Sequence, residues 1–152
     1  MVGQTKSAGF QVGKRKTFEL SLQQAWDFII SDEGIRLWLG DIQGTRVEEG
    51  NTYRTRDGAE GEFRIVNPYS HIRLTWRPEG WHKASTIQVR VIPTNKSKTV
   101  ISFHQENLLG EKERGIMYQK WSKVVEEIEN VNDQLSLQCC LEDGEHEGAS
   151  KK

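Results

Sequence analysis

A tryptophan-bearing run of alternating strands leads into one long amphipathic segment, and that succession limits what the chain can fold into. Phe63-Arg64-Ile65-Val66-Asn67-Pro68 and His71-Ile72-Arg73-Leu74-Thr75-Trp76 alternate with period two, whereas Met117, Trp121, Val124, Ile128, Val131 and Leu135 recur in steps of four and three. A sheet with one apolar face and a helix with one apolar stripe hide both surfaces by packing on each other. The expected product is a curved sheet wrapped on a single helix, a shape that encloses a pocket.

Composition bounds this picture. A chain of 152 residues, 35% of them hydrophobic, supports one domain that buries roughly two-thirds of its unfolded surface. The formal net charge is −1 with the two signs interspersed, unlike the clustered cations that nucleic acids or anionic membranes select. No apolar run approaches the roughly 20 residues of a membrane span, and Met1 to Gln11 lacks a signal-peptide core. A cytoplasmic monomer that binds neither nucleic acid nor membrane is expected. Cys139 and Cys140 are adjacent, poorly placed for a mutual disulfide, and read as reduced thiols.

Along the chain, residues 1–13 read as a flexible arm, 14–135 as the folded domain and 136–152 as a polar, disordered tail. Lys16 to Leu20 alternates as a strand does. Ser21 stands as an N-cap before Leu22, Ala25, Trp26 and Ile29, and Asp32 as the cap of a second short helix that Gly40 ends. From Ile42 to Leu108 turn signals such as Asn67-Pro68-Tyr69-Ser70 and Arg77-Pro78-Glu79-Gly80 separate short antiparallel strands. One parity carries Phe63, Ile65, Ile72, Leu74, Trp76, Ile87, Val89, Val91, Ile101 and Phe103, and is expected inside. The other carries Arg64, Arg73, Thr75, Gln88 and Arg90 and is expected in water. Glu111 to Asn132 is the long helix, with Lys112, Glu113, Lys120, Lys123 and Glu126 on its wet side.

Ala25-Trp26, Trp38, Gly50, Tyr53-Arg54, Gly61-Glu62-Phe63, Asn67-Pro68, Leu74-Thr75-Trp76, Thr99, Glu106-Asn107-Leu108 and Trp121 together resemble the family of activators of the heat-shock protein 90 ATPase, over about Phe18 to Asn132. That family is similar in turn to the START and birch-pollen-allergen-like superfamily. The resemblance implies an α+β helix-grip fold: a curved antiparallel sheet around a long C-terminal helix, with two short helices after the first strand. It transfers architecture more firmly than activity.

Trp38, Tyr53, Phe63, Trp76, Val89, Phe103, Met117 and Trp121 fall on surfaces that face one another, and in a helix-grip fold they are the candidate lining of a ligand cavity. The alternative for each is plain core. Catalytic chemistry is sparse. His71, His82, His104 and His146 repeat no ligand spacing, His-Glu-x-x-His is absent, and there is neither a nucleophile elbow nor a phosphate loop. No metal, cofactor or catalytic residue is therefore expected, although Tyr53, Thr55, His82 and Gln105 are the nearest candidates for a cyclase-like enzyme. The leading expectation is a binder of a small hydrophobic molecule. The alternative is a co-chaperone module that uses the sheet exterior, where Arg54, Arg64, Arg73 and Arg90 suit an acidic partner.

Overall fold

The computed structural model describes residues 4–5 and 9–147, with side chains described over 10–133. Its elements run β1 (Gln4–Thr5), β2 (Gly9–Phe18), α1 (Leu22–Ile30), α2 (Asp32–Trp38), β3 (Thr52–Arg54), β4 (Glu60–Asn67), β5 (His71–Trp76), β6 (Ser85–Asn95), β7 (Lys98–Leu108) and α3 (Glu111–Glu147). The strands form one antiparallel sheet in the order β1-β2-β7-β6-β5-β4-β3. This is the α+β helix-grip arrangement, a curved sheet gripping the long C-terminal helix.

Local chemistry sets the corner between the first strand and the rest of the sheet. The Ser21 hydroxyl accepts from the N–H of Gln24, and the Gln24 side chain accepts from the N–H of Ser21, closing a capping box on α1. At α2 the cap is Ser31 rather than Asp32: its hydroxyl accepts from Gly34 N–H at 3.0 Å and donates to Phe28 O at 2.7 Å. A Cβ on Gly34 would collide with the Phe28 carbonyl, so glycine lets the second helix turn tightly off the first.

The inward parity holds through β5, β6 and β7. Ile72, Leu74, Ile87, Val89, Val91, Ile101 and Phe103 are all buried. In β4 it fails after Phe63. A bulge puts Phe63 opposite Leu74 but Ile65 opposite Arg73, so Phe63 is fully buried and Ile65 is 39% exposed. One extra residue reverses every later side chain of a strand.

Helix α3 presents Met117, Trp121, Val124, Val125 and Ile128 to the sheet, a stripe of helical spacing, while Val131 is half-buried. Lys16 pairs with Glu129 at 3.5 Å and Lys14 lies over the Tyr118 ring at 5.4 Å, both from β2.

Two segments differ from the sequence expectation. Residues 9–13, read as arm, continue β2, because pairing such as Val12 with Gln105 and Gly13 with His104 supplies main-chain bonds that side-chain alternation does not advertise. Residues 136–147, read as tail, are helical in backbone, as propagation on an existing helix favours. Cys139, Cys140 and His146 lie on that stretch, and their side chains, like residues 1–3, 6–8 and 148–152, lie outside the described part.

Candidate functional site

Between sheet and α3 the aromatic side chains meet. Phe103 on β7 stacks on Trp121 with centroids 4.9 Å apart and planes 13° apart, and Trp38 from α2 meets Phe103 at 6.4 Å. On the β3–β4 side Tyr53 packs on Phe63 at 5.1 Å. All eight candidate cavity residues are buried, from Trp38, Phe63, Phe103 and Trp121 at 0% exposure through Val89, Met117 and Tyr53 to Trp76 at 8%. Trp38, Phe103 and Trp121, and separately Tyr53 and Phe63, are thus in ring contact, and a ligand between them would have to part those rings.

A chain of buried hydrogen bonds crosses this core. Trp121 Nε1 donates to Gln105 Oε1 at 2.9 Å, Gln105 Nε2 donates to Ser85 Oγ at 2.8 Å, and Ser85 Oγ donates to the Trp76 carbonyl at 2.9 Å. Gln105 lies on an inward rung between Ile87 and Val12, where an unpaired amide would be costly. The other enzyme-like candidates are similarly occupied. Tyr53 donates to Thr75 O at 2.6 Å, and burial pushes its hydroxyl pKa far up, so it stays a neutral donor. Thr55 Oγ1 donates to Asp57 and accepts from Ala59 N–H, holding the β3–β4 turn. His82 is exposed. Tyr53, Thr55 and Gln105 are thus each engaged in a structural hydrogen bond, and no group of three or more metal-binding side chains gathers among the described residues.

Depressions among the described residues include three along the rim. One of about 390 Å³ sits between α2 and the loop through Ile42 and Val47, and one of about 550 Å³ between that loop and β3–β4, bordered by Tyr53. The third, about 430 Å³, is walled by Arg54, Arg77, Glu60 and Glu79. There Glu60 takes Arg77 at 2.6 Å and Arg54 at 2.9 Å, and the Arg77 bond, more than any other influence, holds its carboxyl below the usual range. Glu60 thus takes two of the guanidinium groups, while Glu79 makes no ion pair among the described residues.

Sequence reasoning placed Lys120 in water. In the fold its Nζ lies over the Trp76 ring at 4.5 Å and the Trp121 ring at 5.1 Å, and burial lowers its pKa to about 8. Trp81, half-buried, meets Trp76 edge-on at 5.5 Å. Only the spacing of Lys120 one residue before Trp121 could have hinted at this position.

On the outer face, register lines up two polar rungs: Arg15, Ser102, Arg90 and His71, then Gly13, His104, Gln88 and Arg73. Arg73 bonds Glu106 at 3.0 Å, while Arg15 and Arg90 make no ion pair among the described residues. His71 is held below its ordinary pKa by partial burial and then by Arg90 and Arg73 beside it.

Solved structures share this architecture. CalU16 from Micromonospora echinospora aligns with a TM-score of 0.73 at 16% identity, over 93% of this chain and 89% of its own. PFC0360w, an HSP90 activator from Plasmodium falciparum, gives 0.69 at 16% over 81% and 96%. Aha1 from Colwellia psychrerythraea, solved as a dimer, gives 0.65 at 15% over 79% and 93%. At these identities the likeness is one of fold. No curated protein matches the sequence significantly. The model of the Activator of Hsp90 ATPase homolog 1-like family matches residues 19–132, from just past the end of β2 to the buried Asn132 of α3, and the chain belongs to that family.

Proposed function

We propose that the domain is a protein-interaction module of the chaperone-ATPase-activator kind, and that it meets an acidic surface through the outer face of its sheet. The observation that carries this reading is the pair of outer rungs, which set Arg15, Arg90 and Arg73 on three strands of one rigid sheet. Arg15 and Arg90 are exposed and Arg73 is half-exposed. His71 lies in the same setting: partial burial, and then Arg90 and Arg73 beside it, hold its pKa down. Guanidinium groups suit carboxylates through paired N–H donors. The middle of the inner face offers less, since Trp38, Phe103 and Trp121 already pack on one another. Family membership makes a heat-shock protein 90 ATPase the first partner to try.

The test is binding by calorimetry and stimulation of a cognate heat-shock protein 90 ATPase, for the natural chain and for Arg15→Glu/Arg90→Glu. The doubly reversed variant should bind at least tenfold more weakly, and binding by the natural chain should fall steeply with salt. Equal binding by both, or no chaperone binding at low salt, would remove the proposal.

A further inference from the structure

We infer that the corner between the end of β5, the Gly80-Trp81 loop and the first turns of α3 is a site for a small aromatic monocarboxylate, with Lys120 and the Trp76 indole N–H as its donors.

Of the four buried indoles, Trp38 and Trp121 have acceptors: Trp38 Nε1 donates to Ile29 O and Trp121 Nε1 to Gln105 Oε1, each at 2.9 Å. Trp76 does not. It is 92% buried, and its Nε1 has no hydrogen-bond partner among the described residues. Directly over its ring stands the Lys120 ammonium, 4.5 Å from the centroid. Lys120 makes neither an ion pair nor a hydrogen bond among the described side chains, and Asp57 acts on it only as a charge at longer range. Acceptors close by are already engaged. The Trp76 carbonyl takes Ser85, the Trp81 carbonyl takes Arg77 at 2.8 Å, and Gln105 serves Trp121.

The corner thus holds one buried donor without an acceptor and one half-buried ammonium without an ion pair, an arrangement that an incoming anionic acceptor relieves. One cation with a neighbouring carboxylate favours a ligand of single negative charge. A doubly charged phosphate would be repelled by Asp57 and would lack a second cation. Trp81, half-buried and edge-on to Trp76, provides an aromatic wall, and flat apolar rings pack on such walls in offset or edge geometry. The inference is independent of the outer-face reading, because it uses the opposite side of the sheet.

The test is titration of the full chain with phenylacetate, indole-3-acetate and decanoate, followed by NMR of the tryptophan indole N–H signals. Phenylacetate and indole-3-acetate should shift the Trp76 and Trp81 signals, and decanoate should bind more weakly. Phenylacetamide, the same shape without charge, should bind at least tenfold more weakly than phenylacetate, a comparison that needs no variant. Lys120→Met, which keeps the stem and removes the charge, should weaken phenylacetate by a similar factor, and Trp76→Phe by less. A still Trp76 signal with all three acids, equal affinity for acid and amide, or unchanged binding by Lys120→Met would overturn the inference. Arg15→Glu/Arg90→Glu should leave this titration unaltered, so that failure here and failure of chaperone binding are separable.

Discussion

Trp121 of α3 donates its indole N–H to the side chain of Gln105 on β7, sixteen residues earlier, at 2.9 Å, and so ties the long helix to the middle of the sheet with a polar contact inside an apolar layer. Packing alone would let α3 slide along the sheet. A directed bond admits one register.

Gln105→Leu therefore strands the Trp121 donor while nearly conserving volume. It should cost about 1–3 kcal/mol in urea unfolding, and Trp121→Ala, which also opens a cavity, about 3–5 kcal/mol. A neutral Gln105→Leu would mean that the indole has another acceptor.

The β4 bulge makes two neighbours of like character behave differently. Phe63→Ala should lose about 3–5 kcal/mol, whereas Ile65→Thr should stay within about 0.5 kcal/mol of the natural chain. Comparable losses at both positions would show that the strand runs without its bulge in solution.

Lys120 should titrate near 8 instead of its ordinary 10.5, because burial over two indoles disfavours its charge more than Asp57 restores it. Between those values the unfolded chain binds more protons than the folded one, so stability rises with pH across that window. The rise should vanish in Lys120→Met, and an NMR midpoint close to 10.5 would dismiss the desolvated setting.

His71 carries the same sign lower on the scale. Its depressed pKa means that the folded state is undisturbed above the ordinary histidine value of about 6.5 and loses stability as pH falls from there towards the lowered one. Denaturation midpoints taken from pH 7.5 to 5 should fall less in His71→Gln than in the natural chain. An identical fall in both would place the effect elsewhere.

Periodicity made the architecture readable. Alternation in β5 and β6 and the Met117, Trp121, Val124, Ile128 stripe announce a sheet and the helix that covers it, since each period matches one geometry. Ile65 was misplaced because a bulge is one unmarked residue, and Ser31 was passed over for Asp32 because both have capping side chains and only the turn geometry separates them. The inward aromatic side chains were legible as a set, but alternation assigns a face and says nothing about whether the facing rings touch. Lys120 escaped because a lysine on a helix reads as solvated until the fold brings Trp76 beneath it. Arg73 and Arg90 could be assigned to a face, yet their alignment with Arg15 across β2, β6 and β5 depends on register, which no local pattern encodes.

Strand β2 also carries a consequence for synthesis. Its long neighbour is β7, with Phe18 opposite Thr99 and Phe10 opposite Leu108, so this strand pairs with the domain's last one. Between Phe18 and Leu108 the ribosome adds roughly ninety residues, which at about 5–20 residues per second takes about 5 to 18 s. Throughout that interval the side of β2 that pairs with β7 has no partner, and the strand carries Lys14, Arg15 and Lys16 in succession, the kind of charge that keeps an open strand from pairing with the wrong chain. Two of those cations are later claimed by α3, Lys14 by the Tyr118 ring and Lys16 by Glu129. A guard against mispairing on the nascent chain thus becomes a clasp on the finished domain.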